Sequence, residues 1–218
     1  MPTTSTARRP LKTRQKEWAK AIASFLVRQR VHPNLISVMS IVFAALAGVA
    51  FSSSSYSTAP HRVVLLLVAA AGIQLRLLCN MLDGMVAVEG GMQTRSGEIF
   101  NDLPDRISDA MILVPVGYAV PGLPYGPALG WCAALLAIFT AYVRLLGGAA
   151  GLTQSFIGPM AKPHRMATLT AACLLSFMEL KFLPAGILLW IALVMINVGC
   201  IVTIWRRTAL IMHGLEAR

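Results

Sequence analysis

Residues 80–109 read NMLDGMVAVEGGMQTRSGEIFNDLPDRISD. Asn80 and Asp83 stand three residues apart, and Asn101 and Asp105 four apart, so on helices each pair projects from one face. Two such helices facing one another would bring four oxygen-bearing side chains together. Carboxylate and amide oxygens suit a hard divalent cation, Mg²⁺ or Mn²⁺, and not zinc. Gly84, Gly90, Gly91 and Gly97 let backbone approach closely where a nucleotide or pyrophosphate would pass. A metal held beside a diphosphate at a membrane surface points to phosphoryl transfer on a lipid.

The rest of the chain must hold that segment in a bilayer. Of 218 residues, 56% are apolar and 13% charged, against about 25% charged in a soluble domain, and the mean hydropathy is +0.68. Six helices of about 20 residues would use more than half the chain, leaving no room in it for a separate soluble catalytic domain. Nine residues are Asp or Glu, and six of them (Asp83, Glu89, Glu98, Asp102, Asp105 and Asp109) fall between 83 and 109. Acidic groups in or beside membrane spans are costly and face a cavity, a partner or a substrate path, so this one segment carries the polar function.

The expected architecture is all-α, with six transmembrane helices behind an N-terminal amphipathic surface helix. Residues 1–34 form a basic arm in which Trp18, Ile22, Phe25 and Leu26 recur at helical spacing, suited to an anionic membrane surface. The membrane domain occupies 35–210 and a short tail 211–218. Spans are expected at Leu35–Phe51 (an uncleaved anchor), His61 or Val63 to Leu82, Phe100–Val120, Ala128–Gly147, Met166–Phe177 and Ala185–Trp205. With six spans both termini share one side. The arm, Arg95, Arg106, Arg144, Lys162, Arg165, Arg206, Arg207 and Arg218 make that side cytoplasmic, in an inner or plasma membrane. Little beyond Arg62 and Lys181 falls opposite, and no internal repeat suggests an inverted-repeat transporter.

At the acidic segment the chain resembles the CDP-alcohol phosphatidyltransferase family, whose motif is D-x2-D-G-x2-A-R-x8-G-x3-D-x3-D. Asn80, Asp83, Gly84, Ala87, Val88, Gly97, Asn101 and Asp105 occupy every one of those spacings. Pro33-Asn34, Thr94-Arg95-x-Gly97 and Lys162-Pro163-x-Arg165-Met166 extend the likeness across the six-span core. The resemblance implies a homodimer opening to the cytoplasm, in which the hydroxyl of a small alcohol acceptor attacks a CDP-linked lipid donor and CMP leaves. It implies Asp83 as metal ligand and Asp105 as base and ligand, with Asn80 and Asn101 completing the metal positions. Asn80, Gly84, Ala87, Thr94 and Gly97 would line the nucleotide. Arg144, Lys162 and Arg165 are candidates for an acceptor phosphate, though positive-inside placement also explains them.

Asn80 and Asn101 stand where the motif has Asp, and Val88 where it has Arg. Two negative charges are lost and one positive, while an Asn carbonyl can still reach a cation. Glu89, Glu98 or Asp102 could supply a replacement carboxylate. Two other functions stay open: a catalytically silent relative that binds lipid or a partner enzyme, and a small cation-coupled transporter. Cys79, Cys132, Cys173 and Cys200 lie in apolar runs without C-x-x-C spacing. The net charge of +10 belongs to the arm and loops, so no nucleic-acid partner is expected.

Overall fold

The computed structural model describes residues 16–93 and 97–217, and at Glu98 and Asn101 the backbone alone. Among them there is no strand. The helices are α1 (Glu17–Arg28), α2 (Pro33–Ser54), α3 (Ala59–Glu89), α4 (Gly97–Tyr118), α5 (Gly126–Ala149), α6 (Lys162–Leu175, continued by a 3₁₀ turn at Ser176–Leu180) and α7 (Ile187–Glu216). Proline sits in the first turn of α2, α3, α5 and α6, where its missing N–H has no helical partner to lose and its fixed φ favours the helix.

The six long helices close into a ring. Neighbours pack in the order α3, α2, α4, α5, α7, α6 and back to α3. Inside it lie Phe51, Leu66, Ile73, Ile112, Leu113, Met166, Leu169, Leu193 and Ile196, interleaved with small residues such as Ala44, Ala47, Ala133 and Ala137. Small residues matter because lipid supplies no hydrophobic drive between helices, and close backbone packing must replace it. At the α4–α5 crossing a Cβ on Gly117 would meet Gly130 Cα at 2.9 Å, and one on Gly130 would meet Val114 O at 2.9 Å. Only glycine fits both positions.

Four helices, α2, α3, α5 and α7, are long and apolar enough to cross a membrane. Outward-facing Leu46, Val49, Val64, Val68, Leu135, Phe139, Met195 and Val198 are all exposed, as a lipid-facing surface requires. α4 and α6 complete the ring without meeting that measure of length and composition: α4 carries Asp102, Asp105, Arg106 and Asp109, and α6 has 14 residues. Each expected span coincides with a helix, but two run further than expected. α3 continues past Leu82 to Glu89, so Asp83 through Val88 belong to a helix. α7 continues past Trp205 to Glu216.

The charges inside the ring are paired. Asp109 on α4, 0% exposed, lies 2.8 Å from Arg76 Nη2 of α3 and 2.8 Å from Arg165 Nη2 of α6. One carboxylate thus joins three helices. At the other end Arg62 lies 3.6 Å from Glu179 and donates to the carbonyls of Ser54 and Ala119. Glu179 in turn accepts from the amides of Gly186 and Leu188 at the start of α7, satisfying donors that a helix N-terminus leaves free.

Outside the ring, α1 lays Ala19 and Ala23 against Met81, Leu82, Met85 and Val86 of α3. Trp18, Ile22 and Phe25 remain exposed on it. The basic stretch 1–15 lies outside the described residues.

Two stability effects are expected. Asp109→Ala leaves the buried Arg165 guanidinium without its counter-charge and Arg76 with Asp105 alone, and should cost about 3–5 kcal/mol. Gly117→Val should cost about 1–3 kcal/mol by overpacking. Thermal unfolding of the purified protein in one detergent measures both, and an unchanged midpoint in either variant would contradict the packing described.

Candidate active site

α3 and α4 each contribute a row of side chains at one-turn spacing. On α3 the row is Arg76, Asn80 and Asp83, and on α4 it is Asp105 and Asp109. The two rows meet. Asn80 Nδ2 donates to Asp105 Oδ1, and Arg76 Nη2 donates to the Asp105 carbonyl at 3.1 Å and to Oδ1 at 3.4 Å. From α6, Lys162 Nζ reaches Asp105 Oδ2 at 2.5 Å, and Arg106 Nη2 lies 3.7 Å from the same oxygen. Asp105 is thereby held from three helices and is 7% exposed.

Asp83 is 5% exposed. Its Oδ2 accepts a 2.7 Å hydrogen bond from Ser37 Oγ of α2, and Ser37 itself turns to the Pro33 carbonyl at 3.3 Å. The Gly84 amide leans weakly on the carboxylate, and Asp105 and Lys162 are within electrostatic range. Oδ1 is buried and makes no well-formed hydrogen bond. A buried anionic oxygen without a well-formed hydrogen bond is costly, and a hard cation would satisfy it.

Around these groups stands a second tier. Asp102 lies 2.6 Å from Arg144 Nη2 and 3.7 Å from Arg106 Nη2. Arg144 also donates to Gln154 Oε1 at 3.2 Å and stacks over Phe156, 5.3 Å from the ring centre. Arg165, 1% exposed, donates to the Met160 carbonyl at 2.9 Å and to Thr140 Oγ1 at 3.3 Å, so it lies beneath the cluster. Among the described residues Asp102, Asp105 and Asp109 pair with five cations (Arg76, Arg106, Arg144, Lys162, Arg165), and Asp83 lies within electrostatic range of Lys162. That excess suits an anionic ligand such as a diphosphate.

The structure therefore brings together Asn80, Asp83, Asp105, Lys162 and, one layer out, Arg144. Gly84 and Ala87 are half-buried on α3, and Gly97 is half-buried at the start of α4. Thr94 and Arg95, with the side chains of Asn101 and Glu98, lie outside the described residues. Val88 and Glu89 are exposed, while Asp102 is occupied by two arginines. Sequence reasoning passed over Arg76 and Ser37 and gave Asp109 no role. The signal for Arg76 was its position: an arginine inside an apolar run, one turn before Asn80, is too costly to be incidental.

The donor set fits Mg²⁺ or Mn²⁺. Asp83 could hold the ion through its buried Oδ1, whereas Asp105 is engaged by Lys162, Arg76 and the Asn80 amide N–H. Among the described residues no group of three or more His, Cys, Asp or Glu is arranged to hold a metal, so amides, water and ligand phosphates would have to complete the shell.

The fold is similar to that of phosphatidylinositol phosphate synthase from Mycobacterium tuberculosis. The structure of that enzyme with CDP-DAG bound superposes with a TM-score of 0.74 at 20% identity, covering 90% of this chain and 94% of that one. Its complex with manganese and citrate superposes at 0.73, covering 89% and 88%. In sequence, the inner membrane protein YnbA of Escherichia coli is 28% identical over 142 residues, 65% of this chain and 66% of that protein, just under two thirds of its length. An uncharacterised Aquifex aeolicus protein is 24% identical over 212 residues, 96% of this chain and 97% of that one. The CDP-alcohol phosphatidyltransferase model matches residues 30–205, which take in all six ring helices up to Trp205 and both rows of the site, and the chain belongs to that family.

Proposed function

We propose that this membrane protein transfers a phosphatidyl, or related phospho-alcohol, group from a CDP-activated lipid donor to an acceptor hydroxyl, releasing CMP. The observation that carries the reading is the pair of facing rows. Asp83 offers a buried oxygen with no well-formed hydrogen bond, and Asp105 lies opposite among cations. The CDP-DAG held by the M. tuberculosis synthase supports a CDP-linked donor, and the manganese in the same enzyme supports a divalent ion. When bound, that ion would screen the pyrophosphate and the charge developing on it.

In this reading the chain's own groups divide the remaining work. Asp105 accepts the proton of the acceptor hydroxyl. The freed oxygen attacks the phosphorus next to the lipid alcohol, the bond from that phosphorus to CMP breaks, and CMP leaves with the electron pair. Asn80 and Arg76 orient Asp105, and Asp109 and Arg165 fix the helices beneath it. Lys162 and Arg144 attract the phosphates. Gly84, Ala87 and Gly97 leave room for the nucleotide, and α1 rests on the membrane surface beside them with Trp18, Ile22 and Phe25 in the headgroup layer. The site and both termini face the cytoplasm, and the molecule works as a homodimer.

A catalytically silent lipid-binding relative is the second reading. It is favoured by one observation: Lys162, Arg76 and Asn80 already engage both oxygens of Asp105, which weakens it as a base.

Three measurements on the protein in lipid nanodiscs decide. CMP release from CDP-diacylglycerol, tried with a panel of alcohol acceptors and either metal, is expected for the wild type; none under any condition favours the silent relative. Asp105→Asn should lower CMP release about 100-fold or more while CDP binding persists, and wild-type turnover would remove Asp105 as the base. Asp83→Ala should weaken Mn²⁺-dependent CDP binding by about 10-fold or more. Unaltered metal dependence would move the ligand role elsewhere.

A further inference from the structure

Lys162 opens α6, and its ammonium sits on Asp105 Oδ2 at 2.5 Å. Asn80 presents an N–H, not its carbonyl, to Asp105 Oδ1, and Arg76 approaches the same oxygen at 3.4 Å. Every group described on this carboxylate turns its positive end inward. A metal ion in the same place would meet an ammonium, a guanidinium and an amide hydrogen at short range, and like charges repel strongly at such distances in a low-dielectric site. Asp105 is already neutralised by the protein.

Asp83 differs. Its Oδ2 has a neutral donor, Ser37, and its Oδ1 is buried without a well-formed hydrogen bond. The other buried acidic oxygen of this kind, Asp109 Oδ1, has Arg76 at 2.8 Å and is 0% exposed, sealed under the site. The anionic oxygen left for an incoming cation is therefore on Asp83.

The two rows have four positions from which oxygen could coordinate, enough for a pair of ions clamping a diphosphate. Two of the four are asparagine, and the carboxylate at the third is taken by Lys162. We propose that the Lys162 ammonium is a built-in cation that replaces one metal ion, so that the site takes a single divalent ion per chain, on Asp83. The nucleotide diphosphate then lies between one exchangeable ion and one fixed ammonium. This rests on the reading above, in which the site binds a CDP-linked ligand with a divalent ion. It accounts for Asn80 jointly with Lys162: an Asp at position 80 would place a second carboxylate beside Asp105 and call for a second ion, whereas the amide donates to Asp105 and completes its neutralisation.

Counting bound Mn²⁺ by electron paramagnetic resonance, on the full chain in nanodiscs with CDP present, tests this without requiring turnover. One ion per chain is expected for the wild type and for Lys162→Arg. Two ions per chain in the wild type, with the spectral broadening of neighbouring spins, would overturn the single-ion assignment and leave the proposed function standing. No nucleotide-dependent ion at all would overturn both. Lys162→Met combined with Asn80→Asp should bind two ions, and a count of one in that folded variant would show that Lys162 is not what excludes the second. Should the double variant fail to fold, Lys162→Gln serves: losing the fixed charge should tighten Mn²⁺ binding about tenfold, and an unchanged affinity would overturn the proposal.

Discussion

Asp109 is the residue on which the arrangement of α3, α4 and α6 depends. A carboxylate with no exposure is unfavourable in a bundle surrounded by lipid unless positive groups meet both of its oxygens. Arg76 and Arg165 do so from two different helices, each at 2.8 Å. The geometry is self-consistent in one register only, because a shift of any of the three helices by a single residue turns its charge by about 100° away from its partners. The ion triad therefore specifies a register that the apolar contacts, in which Leu, Ile and Phe interleave with alanine, leave less closely determined.

One turn further along α3 and α4, the same register sets the chemistry. Arg76 serves both turns, pairing with Asp109 and donating to the Asp105 carbonyl. Asn80 and Lys162 then close around Asp105. Asp83 stands at the edge of this network, tied to α2 by Ser37 and carrying the oxygen the network leaves unsatisfied. The gradient from the neutralised Asp109 on α4 to the incompletely satisfied Asp83 on α3 runs along the facing sides of two helices. At the opposite end of the bundle Arg62 pairs with Glu179, and Glu179 also caps α7, so the polar pair there completes packing.

The loop between α5 and α6 extends this logic. Arg144 on α5 gathers Asp102 of α4 with Gln154 and Phe156 of the loop. Arg207 of α7 fastens the loop from the other side through the Ile157 carbonyl, while also holding the Thr140 carbonyl. A segment without helical hydrogen bonds is thereby tied to three helices. Side chains at this end of the bundle take up the backbone groups that a helix would have satisfied internally.

Much of this was readable from residue types alone. Apolar runs punctuated by proline and glycine set six helices, because hydropathy and the missing N–H of proline act locally. The spacings 80/83 and 101/105 put oxygen donors on two helix faces, because the α-helical period is a property of the backbone. Other features depended on contacts distant in sequence. Arg76 lies 29 residues from Asp105, and Lys162 lies 57, so nothing in either neighbourhood marks them as partners. Sequence alone could offer Lys162 and Arg165 together as phosphate-binding candidates. Only the packing of α6 against α3 and α7 separates them, placing Lys162 on Asp105 and Arg165 beneath it on Asp109. The end of α3 was also settled by tertiary structure: Asp83 and Gly84 interrupt the apolar run, and α3 continues beyond them where α1 covers Met85 and Val86. Local chemistry thus determined which groups the chain has and which face of each helix bears them. The fold determined which of those charges neutralise one another and which oxygen stays without a well-formed hydrogen bond, because electrostatic pairing in a low-dielectric interior depends on ångström distances between helices that no local pattern encodes.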